Sequence, residues 1–254
     1  MERYIMRISL LTPTRGRPHK MESVWKSALT TADAPNDLEV VFYLDNDDDN
    51  GISKLKDMRS DQIKSKIGCR MPIENGANMW NEAYKAAVGE IFMLCADDVL
   101  FRTQGWDTVV RGEFEKRSDR IVYVNGNDKG PFYRRWGTHG FVHKNWIDVI
   151  GYFAPPIYFY GVDDYYTYVS KSLGRAVFLD HVVIEHMHWT LKKTKEDEEV
   201  FKAGGDETSR FRNKHFHKCV ANMNKYKHQK PPSPGYSNDI LKLKTFIEEF
   251  CQRK

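Results

Sequence analysis

No run in this chain approaches the roughly 18 to 20 consecutive apolar residues that a membrane-spanning helix requires, so no membrane span is expected. Cysteine is scarce and scattered. Cys69, Cys95, Cys219 and Cys251 form no CxxC pair, which argues against a zinc site or a disulfide framework and makes a reducing cytoplasm the expected compartment. Met1-Glu2-Arg3-Tyr4 leads straight into a strand-like segment without an apolar leader, so no secretory signal is expected. Internal repeats are missing too. Acidic residues are absent from Thr208 to Asn238, while Arg210, Arg212, Lys214, Lys218, Lys225, Lys227 and Lys230 accumulate there, with His215, His217 and His228 among them. Such a tract reads either as a solvated basic face or as a docking surface for a polyanion such as nucleic acid or an anionic glycan.

What is present is an alternation of buried strands and helices. The 254 residues suit one large α/β domain over residues 1–205 and a basic helical extension over 206–254 packed on the same body. Arg7 to Leu11 and Leu38 to Leu44 read as strands buried on both faces. Met21 to Ala32 and Asn78 to Val88 have helical spacing, with Gly89 as the expected stop of the second helix. Later strands are expected at Arg120 to Val124, Arg175 to Leu179 and Val182 to Trp189, and helices at Trp146 to Ile150 and Asp163 to Leu173. Beyond the break at Lys230-Pro231-Pro232-Ser233-Pro234-Gly235, Asn238 to Arg253 carries one apolar helical face. Strand–helix alternation predicts a mainly parallel central sheet flanked by helices.

The most informative stretch is Ile91-Phe92-Met93-Leu94-Cys95-Ala96-Asp97-Asp98, an apolar strand ending in two carboxylates. Ligands of open α/β sheets bind beyond the carboxyl ends of the strands, and no Lys or Arg stands beside this pair in sequence. A divalent metal carrying a phosphorylated ligand would supply the counter-charge. Asp45 ends the second strand within Asp45-Asn46-Asp47-Asp48-Asp49-Asn50-Gly51. That loop is no EF-hand in either frame, because a start at Asp45 puts Asn50 at the obligatory glycine and a start at Asn46 ends on Asp57 instead of Glu. Asp45 instead suits a ribose or base edge. Asp163 and Asp164 open a helix behind an aromatic run; they fit helix capping, or general-base chemistry if desolvated. His186 and His188 share one strand face, as core histidines or as metal ligands.

Taken in order, these segments resemble a GT-A-fold, family-2-like glycosyltransferase from about Arg7 to Trp189. "SLLTPTRGRP" is similar to the family's first strand and nucleotide-contacting loop, "VVFYLDNDDD" to its second strand, and "GANMWNEAYKAAVGEIFMLCADDV" to the unit leading into its acidic metal-binding motif. "GVDDYY" resembles the segment supplying the base of inverting members, and "VVIEHMHW" the late strand with a metal-binding histidine. The resemblance implies a Rossmann-like GT-A fold and sugar transfer from a nucleotide-diphosphate sugar, a UDP-sugar first. It implies donor contacts from Thr12, Arg15, Asp45 and Asp97. It further implies Mn2+ or Mg2+ at Asp97, with Asp98 assisting, and at His186, or at His188 in its place. Asp163 or Asp164 is the implied base, and Arg134, Arg135 and Trp136 are expected to face the acceptor.

One position departs from the family pattern: Cys95 stands where an Asp is usual, and a neutral thiol has little affinity for a hard cation. Asp97 is then expected to carry more of the coordination, with an inactive homologue as the other outcome. The expected acceptor is a hydroxymethylated base in DNA, as in bacteriophage genome modification within a host cytoplasm, or else a cell-surface glycan. A sugar-nucleotide pyrophosphorylase is disfavoured because the loop after strand one is poor in glycine. A non-enzymatic nucleic-acid-binding module would leave the acidic strand ends unexplained.

Overall fold

In a computed structural model, residues 4–71, 76–130, 137–155, 161–187 and 236–252 are described. The strands are β1 (Ile8–Thr14), β2 (Leu38–Asp45), β3 (Ile63–Gly68), β4 (Ile91–Leu94), β5 (Val99–Phe101), β6 (Tyr123–Asn127), β7 (Phe141–His143) and β8 (Ala176–His186). The helices are α1 (Pro18–Thr31), α2 (Asp49–Asp57), α3 (Asn78–Ala86), α4 (Trp106–Glu115), α5 (Lys144–Ile150), α6 (Val162–Ser172) and α7 (Tyr236–Gln252). The strands form one sheet in the order β3-β2-β1-β4-β7-β6-β8-β5.

Every residue of β1, β2 and β4 is buried, as strands covered on both faces demand, and their sequences are accordingly rich in apolar residues. Successive side chains of these strands feed two different cores. Leu10, Val40, Phe42 and Met93 pack with Met21, Val24 and Trp25 of α1 and Trp106 and Phe114 of α4. Their neighbours Leu11, Val41, Tyr43 and Phe92 face Trp80 of α3, Trp146 of α5, Tyr165 and Tyr166 of α6, and Tyr236 and Leu243 of α7. The two-residue period of a strand thus generates helix, sheet and helix layers.

The sheet is parallel from β3 to β4 and mixed beyond it. β7 lies antiparallel to both β4 and β6, β8 runs parallel to β6, and β5 is antiparallel to β8. The two late strands expected between Arg175 and Trp189 are one strand, interrupted by a register shift at Gly126 and Asn127 of its partner. β3, β5, β7, α2 and α4 carry no sequence expectation. β3 (IKSKIG) is an edge strand whose lysines and half-exposed face break the apolar run that would announce it. β5 and β7 have only three residues each. The acidic loop after β2 turns into α2 because Asp48 caps it, accepting the Gly51 N–H at 3.1 Å.

Gly89 has a different role from the helix stop expected. α3 already ends at Ala86, with Ala87 as its C-cap, and a Cβ on Gly89 would stand 2.3 Å from the Ser9 hydroxyl and 2.9 Å from the Arg7 carbonyl. Its lack of a side chain lets the chain entering β4 press against β1. Glu39, fully buried in β2, fastens the same point. One carboxylate oxygen accepts from the Ser9 hydroxyl at 2.5 Å, the Val88 N–H at 2.7 Å and the Gly89 N–H at 3.2 Å, and Lys64 Nζ stands 3.0 Å from the other. The register of β4, and so the position of the acidic pair after it, depends on this buried charge. Replacing Glu39 by Ala takes the acceptor from the Val88 N–H and the Ser9 hydroxyl and the ion-pair partner from Lys64, and is expected to lower stability by about 3 kcal/mol in urea denaturation; Glu39→Gln, which keeps acceptor capacity, is expected to cost less.

Candidate active site

Five elements deliver polar side chains to the carboxyl-terminal edge of the parallel strands. Leaving β4, the chain turns so that Asp97 is only 2% exposed. Thr14, the last residue of β1, donates its hydroxyl to Asp97 Oδ2 at 2.6 Å. Arg17, at the N-cap of α1, places Nη2 2.7 Å from Oδ1 and Nη1 3.9 Å from Asp98 Oδ2. The sequence reading assigned the counter-charge of this pair to a metal because no basic residue adjoins it. In the fold the turn after β1 brings Arg17 to the pair from eighty positions away in sequence. The contact is electrostatic, since Oδ1 is buried without an aligned hydrogen-bond donor. Burial pushes the Asp97 pKa up to about 6, against the opposing pull of Arg17 and Thr14.

Asp98 turns the other way. Its Oδ1 lies 3.3 Å from His186 Nε2, and its backbone carbonyl accepts the Met187 N–H at 2.7 Å. The β5–β8 ladder sets this meeting by pairing Val99 with His186. Burial raises the Asp98 pKa, but the His186 hydrogen bond and charge, with Arg17, overcome it and hold the carboxyl well below the usual range. His186 also donates its N–H to the Asp128 carbonyl at 3.0 Å, which ties the loop after β6 into the cluster. His139 meets the His186 ring nearly perpendicularly, at 4.4 Å between centroids. Its Nδ1 faces the Leu94 carbonyl at 3.3 Å, so that nitrogen carries the hydrogen, while Nε2 is buried without a partner. Burial, then His186, push the His139 pKa down to about 4, leaving a neutral ring wedged beneath its neighbour.

Asp163 and Asp164 stand in the first turn of α6, after Gly161 in a left-handed conformation (φ 106°) that reverses the chain into the helix. Asp163 is half-buried, and its Oδ1 accepts the Asp164 N–H at 3.0 Å. Burial raises its pKa, while His186 lowers it and Asp128 adds to the rise, so Asp163 shares the electrostatic field of the cluster. Asp164 and Asp163 both act on the buried Tyr236 of α7.

The donor residues expected from sequence divide. Arg15 and Asp45 do meet: Nη1 lies 2.7 Å from Asp45 Oδ2, and the same guanidinium grips Asp47 through both nitrogens at 2.5 and 2.9 Å. Gly16 N–H donates to Asp48 Oδ2 at 2.8 Å, so the loops after β1 and β2 are sewn together. Thr12 is fully enclosed within β1 with its hydroxyl on the Leu10 carbonyl at 3.2 Å; Thr14, two residues on, is the threonine at the strand end. Cys95 points into the apolar core, where burial pushes its thiol up to about 12. Arg134, Arg135, Trp136, His188 and nearly all of the 208–238 tract lie outside the described residues. Arg17, Thr14, His139 and Asp128 had no sequence assignment; only Arg17 carried a signal, as the second basic residue of the loop after strand one.

Among the described residues, no three His, Cys, Asp or Glu side chains gather around one point as a metal cage. Asp98 and His186 do offer one carboxylate oxygen and one imidazole nitrogen at the same spot. Such a pair fits a divalent ion that completes its shell with phosphate oxygens and water, the usual mode for Mg2+ and related ions.

No family model matches the chain, and a search of curated proteins finds no match. Solved structures do share its fold. It is similar to the mannosyltransferase PcManGT from Pyrobaculum calidifontis in complex with GDP-Man and Mn2+, with TM-score 0.60 and 19% identity over 96% of this chain and 70% of that one. S. aureus TarS 1–349 gives TM-score 0.58 at 14% identity, covering 98% of this chain and 92% of that one. Glucosyl-3-phosphoglycerate synthase from Mycobacterium tuberculosis, in complex with Mn2+, UDP-glucose and phosphoglyceric acid, gives 0.54 at 12% identity over 72% of each chain. At these identities the likeness is one of architecture: the chain has the GT-A-type α/β fold.

The raised Asp97 pKa makes a signed prediction. Between about pH 4, where an unfolded Asp titrates, and about pH 6, where Asp97 titrates in the fold, the folded chain holds the extra proton. Its contribution to stability is therefore greatest at the acid end and is lost as pH rises through that window. Urea denaturation at stepped pH is expected to show the wild-type chain losing stability relative to Asp97→Asn from pH 4 to 6. A difference that stays flat would place the Asp97 pKa at its ordinary value.

Proposed function

We propose that this chain is a glycosyltransferase that moves a sugar from a nucleotide-diphosphate sugar to an acceptor hydroxyl, inverting the anomeric carbon, with Mn2+ or Mg2+ as cofactor. The observation that carries the reading is the Asp98–His186 pair, 3.3 Å apart at the carboxyl end of β4 in a GT-A-type sheet. Neighbours of the same fold were solved with Mn2+ and GDP-Man or UDP-glucose, which supports the donor class and the ion. When bound, the ion would neutralise charge on the leaving diphosphate.

Each group of the chain then has a task. Asp98 and His186 would hold the ion, which would offset the charge of the diphosphate, and the paired Arg15 and Asp45 would contact the nucleoside. Asp163, desolvated and in the field of His186 and Asp128, accepts the acceptor's hydroxyl proton as its oxygen bonds to the anomeric carbon. The bond from that carbon to the phosphate oxygen breaks, and the nucleoside diphosphate departs.

For the acceptor, the tract from Thr208 to Asn238, with seven Lys and Arg and no acidic residue, supports a polyanion. A hydroxymethylated base in DNA is the first choice, presented out of the stack, and a cell-surface glycan is the second.

The test is nucleoside diphosphate release from a panel of UDP- and GDP-sugars with Mn2+, with and without hydroxymethylated duplex DNA. Release stimulated by the DNA, with a matching mass increase on the base, is the expected result. Release indifferent to DNA redirects the acceptor to glycans, and no release with any donor sinks the transferase reading. Asp163→Asn is expected to lower kcat by roughly 10² to 10⁴ with little change in nucleotide binding, as for loss of a general base. Asp98→Asn is expected to weaken Mn2+-dependent nucleotide binding itself.

A further inference from the structure

We propose that Arg17 is a diphosphate-binding residue that competes with the divalent ion for Asp97, and that the donor's diphosphate ends the competition by drawing the guanidinium away. The inference rests on the metal-dependent transferase reading above and adds a residue and an order of events to it.

Three observations meet at this residue. The Arg17 guanidinium stands 2.7 Å from Asp97 Oδ1, and its other nitrogen reaches within 3.9 Å of Asp98, the partner of His186. A cation drawn to this acidic pair therefore finds one already in place. Second, the contact is loose. Oδ1 lacks an aligned hydrogen-bond donor, and the Arg17 side chain is 43% exposed while that of Asp97 is 1% exposed. The arginine reaches in from the solvent side without the forked geometry that would lock it. Third, Arg17 is the N-cap of the 14-residue α1, which has no side-chain cap and no acidic residue in its first turn. The positive end of that helix dipole and the guanidinium therefore sit together, an arrangement that favours an anion such as a phosphate.

A diphosphate arriving there offers Arg17 a doubly charged, bidentate partner in place of a single misaligned oxygen. With Arg17 drawn away, Asp97 Oδ1 is open to the ion or to the ion's water shell. Ion and nucleotide binding are thereby coupled: each is weak alone and tight together, and Arg17 carries part of that coupling. Reciprocity requires the ion to raise nucleotide affinity by the same factor.

The experiment measures Mn2+ binding to the full chain by electron paramagnetic resonance, alone and with saturating UDP or GDP, whichever the wild-type chain binds. Wild type is expected to bind Mn2+ weakly alone and at least about tenfold more tightly with the nucleotide, a coupling within the common allosteric range. In Arg17→Met, Mn2+ alone is expected to bind roughly threefold to tenfold more tightly, as for removal of one partly exposed charge near a divalent ion. The enhancement by nucleotide is expected to shrink in the same variant. Arg17→Lys, which keeps the charge and loses the fork, is expected to retain weak Mn2+ binding while losing nucleotide affinity.

Lys20→Met is the control for a general field effect, because Lys20 also acts on Asp97. If Lys20→Met tightens Mn2+ as much as Arg17→Met, or if Arg17→Met leaves both the Mn2+ affinity and the coupling unchanged, the inference is overturned while the transferase reading stands. A wild-type chain that binds neither Mn2+ nor nucleoside diphosphate overturns both.

Discussion

A carboxylate carried out of an apolar strand into a nearly solvent-free position must meet positive charge or a proton close by, and Asp97 imposes that demand on everything around it. Arg17, Thr14 and the protonation equilibrium near pH 6 are three partial answers to the same electrostatic problem. Asp98 solves its own version with His186, which obliges β8 to end beside β5 at the height of the acidic pair. The cluster is thus built by neutralisation: each loop arrives carrying the charge that another loop lacks. The same rule operates one strand over, where Arg15 spans Asp45 and Asp47.

The mixed half of the sheet serves this convergence. In a purely parallel sheet each strand end would need its own crossover helix before the next could contribute. Here the short β7, antiparallel between β4 and β6, places the loop holding His139 directly after β4's own carbonyls, with Gly140 accepting the Leu94 N–H at 2.9 Å. β8 then runs parallel beside β6, so His186 reaches the edge from which Asp128 extends. The register shift in β8 sits one turn before this meeting and re-aims its last residues.

Much of this was readable from sequence, for a physical reason. Strands buried on both faces write themselves as apolar runs, so β1, β2 and β4 declared their place and their carboxyl ends declared the site. Asp97 and Asp98 were visible as the polar pair after β4, Asp163 as an acidic helix start and His186 as a histidine late in the last strand. Arg17 could not be found that way, because its role is a distance across the turn after β1 and not a pattern along the chain. His139 was hidden similarly: its neighbours in sequence are glycines and aromatics, and only the edge-on contact with His186 marks it. The edge strand β3 and the three-residue β5 and β7 failed to announce themselves because they bury too little for periodicity to emerge.

The same spatial view changes the meaning of Cys95. Read along the chain, a thiol in place of a carboxylate looks like damage to an acidic motif. In the fold its side chain is fully buried in the layer formed by β1, β4 and α1, with the Thr12 hydroxyl as its polar neighbour. A carboxylate there would be desolvated with no cation among those neighbours, a substitution that burial alone makes unfavourable. Cysteine behaves at such a point as a small apolar residue, and its thiol stays protonated far above neutral pH. The departure at this position is therefore a packing choice made inside the sheet. The polar groups that converge beyond β4 come from positions 97, 98 and 186 and from the turn that carries Arg17.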